Sequence, residues 1–144
     1  VPDGNGLDAF PSTRGPTAVV GHFPDLRRHL QNAQVIEREP HSHELPEEAA
    51  ENILPQAAQV LITASTLTNG SLPRLLSLCH QARVALVGPS VPMCPTMFGL
   101  GIDVLSGFLV TDPEAALTVV GEGGSVRALK RCGRLVMLQC NSAE

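Results

Sequence analysis

Neither tryptophan nor tyrosine occurs in the 144 residues, and phenylalanine occurs four times. A core with so few rings must be assembled from Leu, Val, Ile and Ala. Parallel sheets covered by helices on both faces have that composition, because their strands read as continuous apolar runs. Charge is also sparse, 17% against 43% hydrophobic, which excludes a disordered chain. A basic cluster is missing. The pair Arg27-Arg28 and the scatter Arg127, Lys130, Arg131 and Arg134 stand against a net charge of -4, so a nucleic-acid partner is not expected. No apolar run reaches about 18 residues, so no membrane span is expected either. The opening "VPDGNGLDAF" has neither the basic nor the apolar region of a signal peptide, and the missing initiator Met suggests a fragment or a processed chain. Cys79, Cys94, Cys132 and Cys140 form no C-x-x-C pair and no zinc-finger spacing. They read as reduced thiols in a cytoplasmic protein.

What is present is an alternation. "TAVVGHF", "QVIERE", "QVLITAS", "RVALVGPS", "VLSGFLV" and "RLVMLQC" have strand character. Between them, "PDLRRHLQN", "LPEEAAENILPQA", "SLPRLLSLCHQA", "PTMFGLG", "DPEAALTVVGEGG" and "SVRALKRC" read as helical pieces, with Ser71 and Asp112 as candidate caps. Strand following helix throughout requires crossover connections. The expectation is an α/β domain, a three-layer sandwich with a mainly parallel six-stranded sheet, over residues 15–144. Residues 1–14, rich in Pro, Gly, Ser and Thr, read as an entering linker.

In such sheets ligands bind at the carboxyl ends of the strands. Those ends carry Gly21, His22, Phe23 and Pro24, then Glu37, then Thr66, Thr68, Asn69, Gly70 and Ser71. Gly88, Pro89, Ser90 and Pro92 follow the fourth strand, and Asp112 the fifth. This edge is the expected ligand site. "GHFPD" is not the dinucleotide fingerprint, because one glycine followed by Phe and Pro denies a pyrophosphate close approach. The P-loop pattern is absent, so NTP hydrolysis is not expected. Glu37 leaves room for an adenosine-bearing cofactor such as S-adenosylmethionine, held through its ribose hydroxyls. Asn69-Gly70-Ser71 reads either as a capped turn or as an anion site on free N–H groups, and the extra hydroxyls of Thr66 and Thr68 favour the second.

Soft and hard metal donors are both available at this edge. His22 and Glu37 stand at strand ends, and Cys94 lies in the proline-rich loop "GPSVPMCPTMF" as a candidate soft ligand or an ordinary thiol. His41 and His43 flank Ser42, a spacing able to bind a metal but more often that of a solvated pair, since two ligands do not make a site. No general base can be singled out among His22, Glu37 and Asp112, so no reaction is assigned.

"VVGHFPDL", the "VIERE" strand, "LITASTLTNGSLPRLL", "VALVGPSVPMCPTMFGLGIDVLSGFLVTDPEAAL" and "VGEGGSVRALKRCGRLVML" together resemble the family of "putative heavy-metal chelation" domains, over about residues 8–139. The resemblance implies a Rossmann-like fold. It implies metal or metal-bearing ligands, and an N-terminal partner domain resembling the N-terminal part of enolase, with "GNGLDAF" as the junction. Cys94 departs from the usual apolar residue there. Three functions follow as expectations. One is chelation, with His22, Glu37 and Cys94 as metal ligands. Another is an enzyme domain using an adenosine-bearing cofactor. The third is an assembly domain with an empty cleft, a homodimer.

Overall fold

The structure is a computed structural model that describes residues 1–10 and 15–140. Its strands are β1 (Thr17–Val20), β2 (Gln34–Glu37), β3 (Leu45–Pro46), β4 (Gln59–Thr63), β5 (Arg83–Val87), β6 (Val104–Val110) and β7 (Gly133–Gln139). They form one sheet in the order β3-β2-β1-β4-β5-β6-β7. All neighbours pair in parallel except β6 and β7. The six expected strands are all present, and β3 is added. At two residues, one of them a proline, β3 has no periodicity to read; it exists because Leu45 and Pro46 fall into register with Ile36 and Glu37.

Helices α1 (Leu26–His29), α2 (Ala50–Ile53), α3 (Ser65–Thr68), α4 (Leu72–Leu78), α5 (Pro113–Gly121) and α6 (Val126–Leu129) connect the strands. Several are shorter than expected. Asp25 sits in the left-handed region at φ 64°, so α1 starts only at Leu26. The second expected helix is divided into a 3-10 turn at Glu47–Ala49, α2, and a 3-10 turn at Leu54–Gln56. Pro55 has no N–H to continue the α-helical ladder there. The "PTMFGLG" turn is a 3-10 segment, Pro95–Leu100, closed by Gly101.

Alternation along the strands divides the core into two layers. Ala18, Ile36, Val60, Ile62, Val84, Leu86 and Leu105 face α2 and α4, where they meet Ala50, Leu54, Leu72 and Leu75. Val19, Val35, Leu61, Ala85, Val87 and Val104 face α1 and the chain start, where Leu7, Ala9, Phe10, Leu26 and Leu30 cover them. Residues 1–10 are therefore packed, although their composition reads as a linker. The Met137 N–H donates to the Pro2 carbonyl and the Gly4 N–H to the Leu135 carbonyl, at 3.0 and 3.2 Å, so the segment lies along the free edge of β7. Residues 11–14 of the expected linker lie outside the described residues. Among the described residues no helix is long and apolar enough to cross a membrane.

Candidate functional site

Strand order reverses between β1 and β4, since β2 lies beyond the first and β5 beyond the second. The loop after β1 starts at this reversal with Gly21, whose N–H donates to the Ile36 carbonyl at 3.0 Å. Gly21 has φ 111°, and a Cβ there would stand 2.4 Å from Thr63 Cγ2 at the end of β4. Only glycine lets the two strand ends approach so closely.

Directly beyond, the chain encloses a solvent-open cavity of about 460 Å³, in the usual range for small-molecule sites. One wall is the loop into α1, residues 22–28, and the other is the turn of residues 41–44 that follows β2, with Val35 between them. The turn is closed by its own acid. The Glu44 N–H donates to the His41 carbonyl at 2.9 Å, and the His41 N–H donates to Glu44 Oε2 at 2.9 Å. The other carboxylate oxygen, Oε1, faces His22 Nδ1 across 3.9 Å. Glu44 thus closes its own turn and points its second oxygen toward the loop that carries His22. His22, His41 and His43 all line the same cavity, together with Phe23, Pro24 and Leu26.

Of the residues expected at the site, His22, Phe23 and Pro24 line this cavity and Gly21 precedes them. Glu37 ends β2 but is not among the lining residues; its Oε2 accepts the Arg38 N–H at 3.1 Å. The hydroxyls of Thr66, Thr68 and Ser71, in the loop after β4, are engaged locally. Thr66 is buried and donates to the Thr63 carbonyl at 2.7 Å, and Thr68 donates to the Ser65 carbonyl at 2.8 Å. Asn69 Oδ1 accepts both the N–H and the hydroxyl of Ser71, at 3.0 and 2.7 Å. Ser71 makes no side-chain cap of α4, against the expectation; its hydroxyl is spent on Asn69. Gly70 turns at φ 77°. Gly88, Pro89, Ser90 and Pro92 lie on the loop after β5, where the Val91 N–H closes a turn on the Gly88 carbonyl at 3.1 Å. Asp112 is the expected cap of α5, accepting the Ala115 N–H at 3.1 Å.

Glu44 and Asp25 were not picked out from the sequence. The available signal was "HSHE" directly after the second strand, which becomes informative once that strand is known to lie beside the first.

Among the described residues no three His, Cys, Asp or Glu side chains converge so as to hold a metal ion. His22, Glu37 and Cys94 follow three different strands and are not brought together as a ligand set. A bare ion, which needs three or four protein donors at about 2.0–2.3 Å, does not fit them. Cys94 is exposed, and its hydrogen bond with the Thr96 hydroxyl at 3.0 Å lowers its pKa. Burial pushes the Cys79 thiol up to about 11.

A doubly wound sheet with a cavity at its carboxyl edge, beside the reversal of strand order, defines a Rossmann-like α/β domain. The chain belongs to the DUF364 family, described as "Putative heavy-metal chelation", whose pattern matches residues 7–139. A solved structure from Desulfitobacterium hafniense, a DUF364 protein of unknown function, is similar at 36% identity with a TM-score of 0.82. The match covers 87% of this chain and 52% of that one. A DUF364 protein of unknown function from Pyrococcus horikoshii shares the fold at 20% identity and a TM-score of 0.84, over 92% of this chain and 58% of that one. The chain thus spans little more than half the length of either. None of the curated proteins is significantly similar to it.

Proposed function

We propose that this domain binds a small metal-bearing molecule, an anionic chelate that brings part of its own ligand set, in the cavity between residues 22–28 and 41–44. The observation that carries the reading is the gathering of His22, His41 and His43 around one cavity, with Glu44 closing the 41–44 turn and facing His22. Imidazole is a preferred donor for borderline transition metals. One or two such donors suffice when the metal arrives with several positions already filled. Glu44, which also faces His22, acts as a positioning residue, since a carboxylate beside a ligating imidazole fixes its orientation. The family description supports a metal as cargo. Nothing in the arrangement requires a chemical step.

Nickel nitrilotriacetate, which leaves two coordination positions open, is a direct probe. The chain is expected to retain it in equilibrium dialysis. The exposed substitutions His22→Ala and His41→Ala should each weaken retention, and Glu44→Gln should do so by about tenfold. Unchanged retention in a variant lacking all three histidines would overturn the reading.

A further inference from the structure

We propose that residues 111–132 form a hinged lid at the carboxyl edge, latched to the cavity rim through Arg127; the proposal rests on the reading of that cavity as the ligand site. The segment leaves the sheet at the end of β6 and returns at the start of β7, carrying α5 and α6. Its two ends are tied together. The Thr111 and Asp112 N–H groups both donate to the Cys132 carbonyl, at 2.8 and 3.1 Å, and the Thr111 hydroxyl donates to it at 3.3 Å. Cys132 is buried at this base. Beyond the base little is anchored: Ala116 is buried, while Leu117, Val120 and Val126 are 74%, 61% and 40% exposed. Most helical stability in proteins comes from packing an apolar face, and this pair of helices turns apolar side chains to solvent.

The far part of the hairpin touches the candidate site at one identifiable place. Arg127 Nη2 lies 3.9 Å from Asp25 Oδ2, and both side chains are substantially exposed. Asp25 lines the cavity, and among the described residues it is the one non-glycine held at positive φ, 64°. Backbone strain of that kind collects at ligand clamps and switch regions. Asp25 also faces Arg28 Nε at 3.7 Å, so the latch can exchange one guanidinium for another without leaving the carboxylate unpaired. An ion pair of this length and exposure is weak, and opening is correspondingly easy. A closed base, a poorly buried span and a weak contact at the cavity rim are the parts of a lid, which proteins draw from segments with few buried contacts.

The test is amide hydrogen exchange on the full chain. In the free protein the amides of Ala116, Glu122 and Leu129, all bonded within the hairpin, should exchange as one unit, at least about a hundredfold faster than those of β4 and β5. Thr111 at the base should stay protected. Arg127→Ala should speed the whole hairpin set by about two- to fivefold and leave the strands unchanged. Hairpin amides as protected as β4 and β5, or an Arg127→Ala effect confined to its own neighbours, would overturn the lid. Nickel nitrilotriacetate adds a separate arm, with binding read by dialysis on the same sample. Binding that slows hairpin exchange supports the lid; binding that leaves it unchanged overturns the lid and keeps the chelate reading. Failure to bind sinks the chelate reading, while exchange in the free chain still decides the hinge.

Discussion

Two thiols show how far a single residue's surroundings set its chemistry. Cys94 and Cys79 have the same ordinary pKa, 9.0, and are displaced in opposite directions. The Thr96 hydroxyl can donate to the Cys94 thiolate and so favours the charged form. The thiolate is the nucleophile, so Cys94 should be alkylated first at neutral pH, and Thr96→Val should slow it there. Measuring the rate of iodoacetamide labelling against pH checks this: the Thr96→Val curve should move to higher pH and rejoin the parent's once both thiols are fully ionised. Cys79 behaves in the opposite way. Burial holds its folded pKa near 11, above the ordinary 9.0 it regains on unfolding. The folded state therefore keeps its proton where the unfolded chain loses it. The stabilisation is complete below pH 9 and is lost as pH rises toward 11. Urea midpoints should fall across that window, and the fall should be smaller in Cys79→Ala. None of this was visible from cysteine spacing, which reports pairing and metal motifs but not who the neighbours are.

At the scale of an element, the loop from Ser65 to Ser71 is the informative case. Its run of hydroxyls and amides suggested donors waiting for an anion. The structure shows the hydroxyls of Thr66 and Thr68 donating to the backbone carbonyls of Thr63 and Ser65, and Asn69 accepting from Ser71 at the step into α4. Short polar side chains compete for nearby backbone groups, and this stretch is built from that competition. Asn69→Ala should therefore cost about 1 kcal/mol of stability by denaturant unfolding, because two hydrogen bonds lose their acceptor at a wet position. It should leave retention of nickel nitrilotriacetate unchanged; weakened retention at constant fold would move the site toward this loop. The strands were legible because continuous apolar runs need only the local sequence. The Asp112 cap of α5 was legible for the same reason. Ser71 looked like an equally good cap, and the difference lies in Asn69, two residues away, taking its hydroxyl. The cavity was half legible: His22, Phe23 and Pro24 were placed at the edge, while the turn at residues 41–44 became part of it only through the pairing of β1 with β2.

For the whole molecule, residues 1–10 show how a segment far from β5, β6 and β7 in sequence can join their core. "VPDGNGLDAF" has a linker's composition, with apolar residues too few to suggest burial, and a docking that depends on β5, β6 and β7 leaves no local trace. Yet Leu7 and Phe10 are 8% and 5% exposed. Gly6 approaches β5 and β6 so closely that a Cβ would stand 2.6 Å from Ser106 Cβ and 2.7 Å from Val87 Cγ2. Without these residues the face formed by Val19, Leu61, Ala85 and Val104 would have α1 as its main cover. Phe10 is the largest side chain that residues 1–10 add to that face, and the Arg83 guanidinium lies 5.8 Å over its ring. Phe10→Ala should therefore cost about 3–5 kcal/mol, a large share of the roughly 5–15 kcal/mol that holds a domain of this size together. Phe10→Leu, which keeps most of the volume, should cost less than about 1.5 kcal/mol. Arg83→Ala should cost about 0.5–1 kcal/mol through the ring contact, at a position that water still reaches. Urea unfolding of the three variants separates the two views of the segment. A graded loss in that order makes residues 1–10 part of the core, whereas three small and equal losses would return them to the status of a linker laid on a sheet that is stable without them.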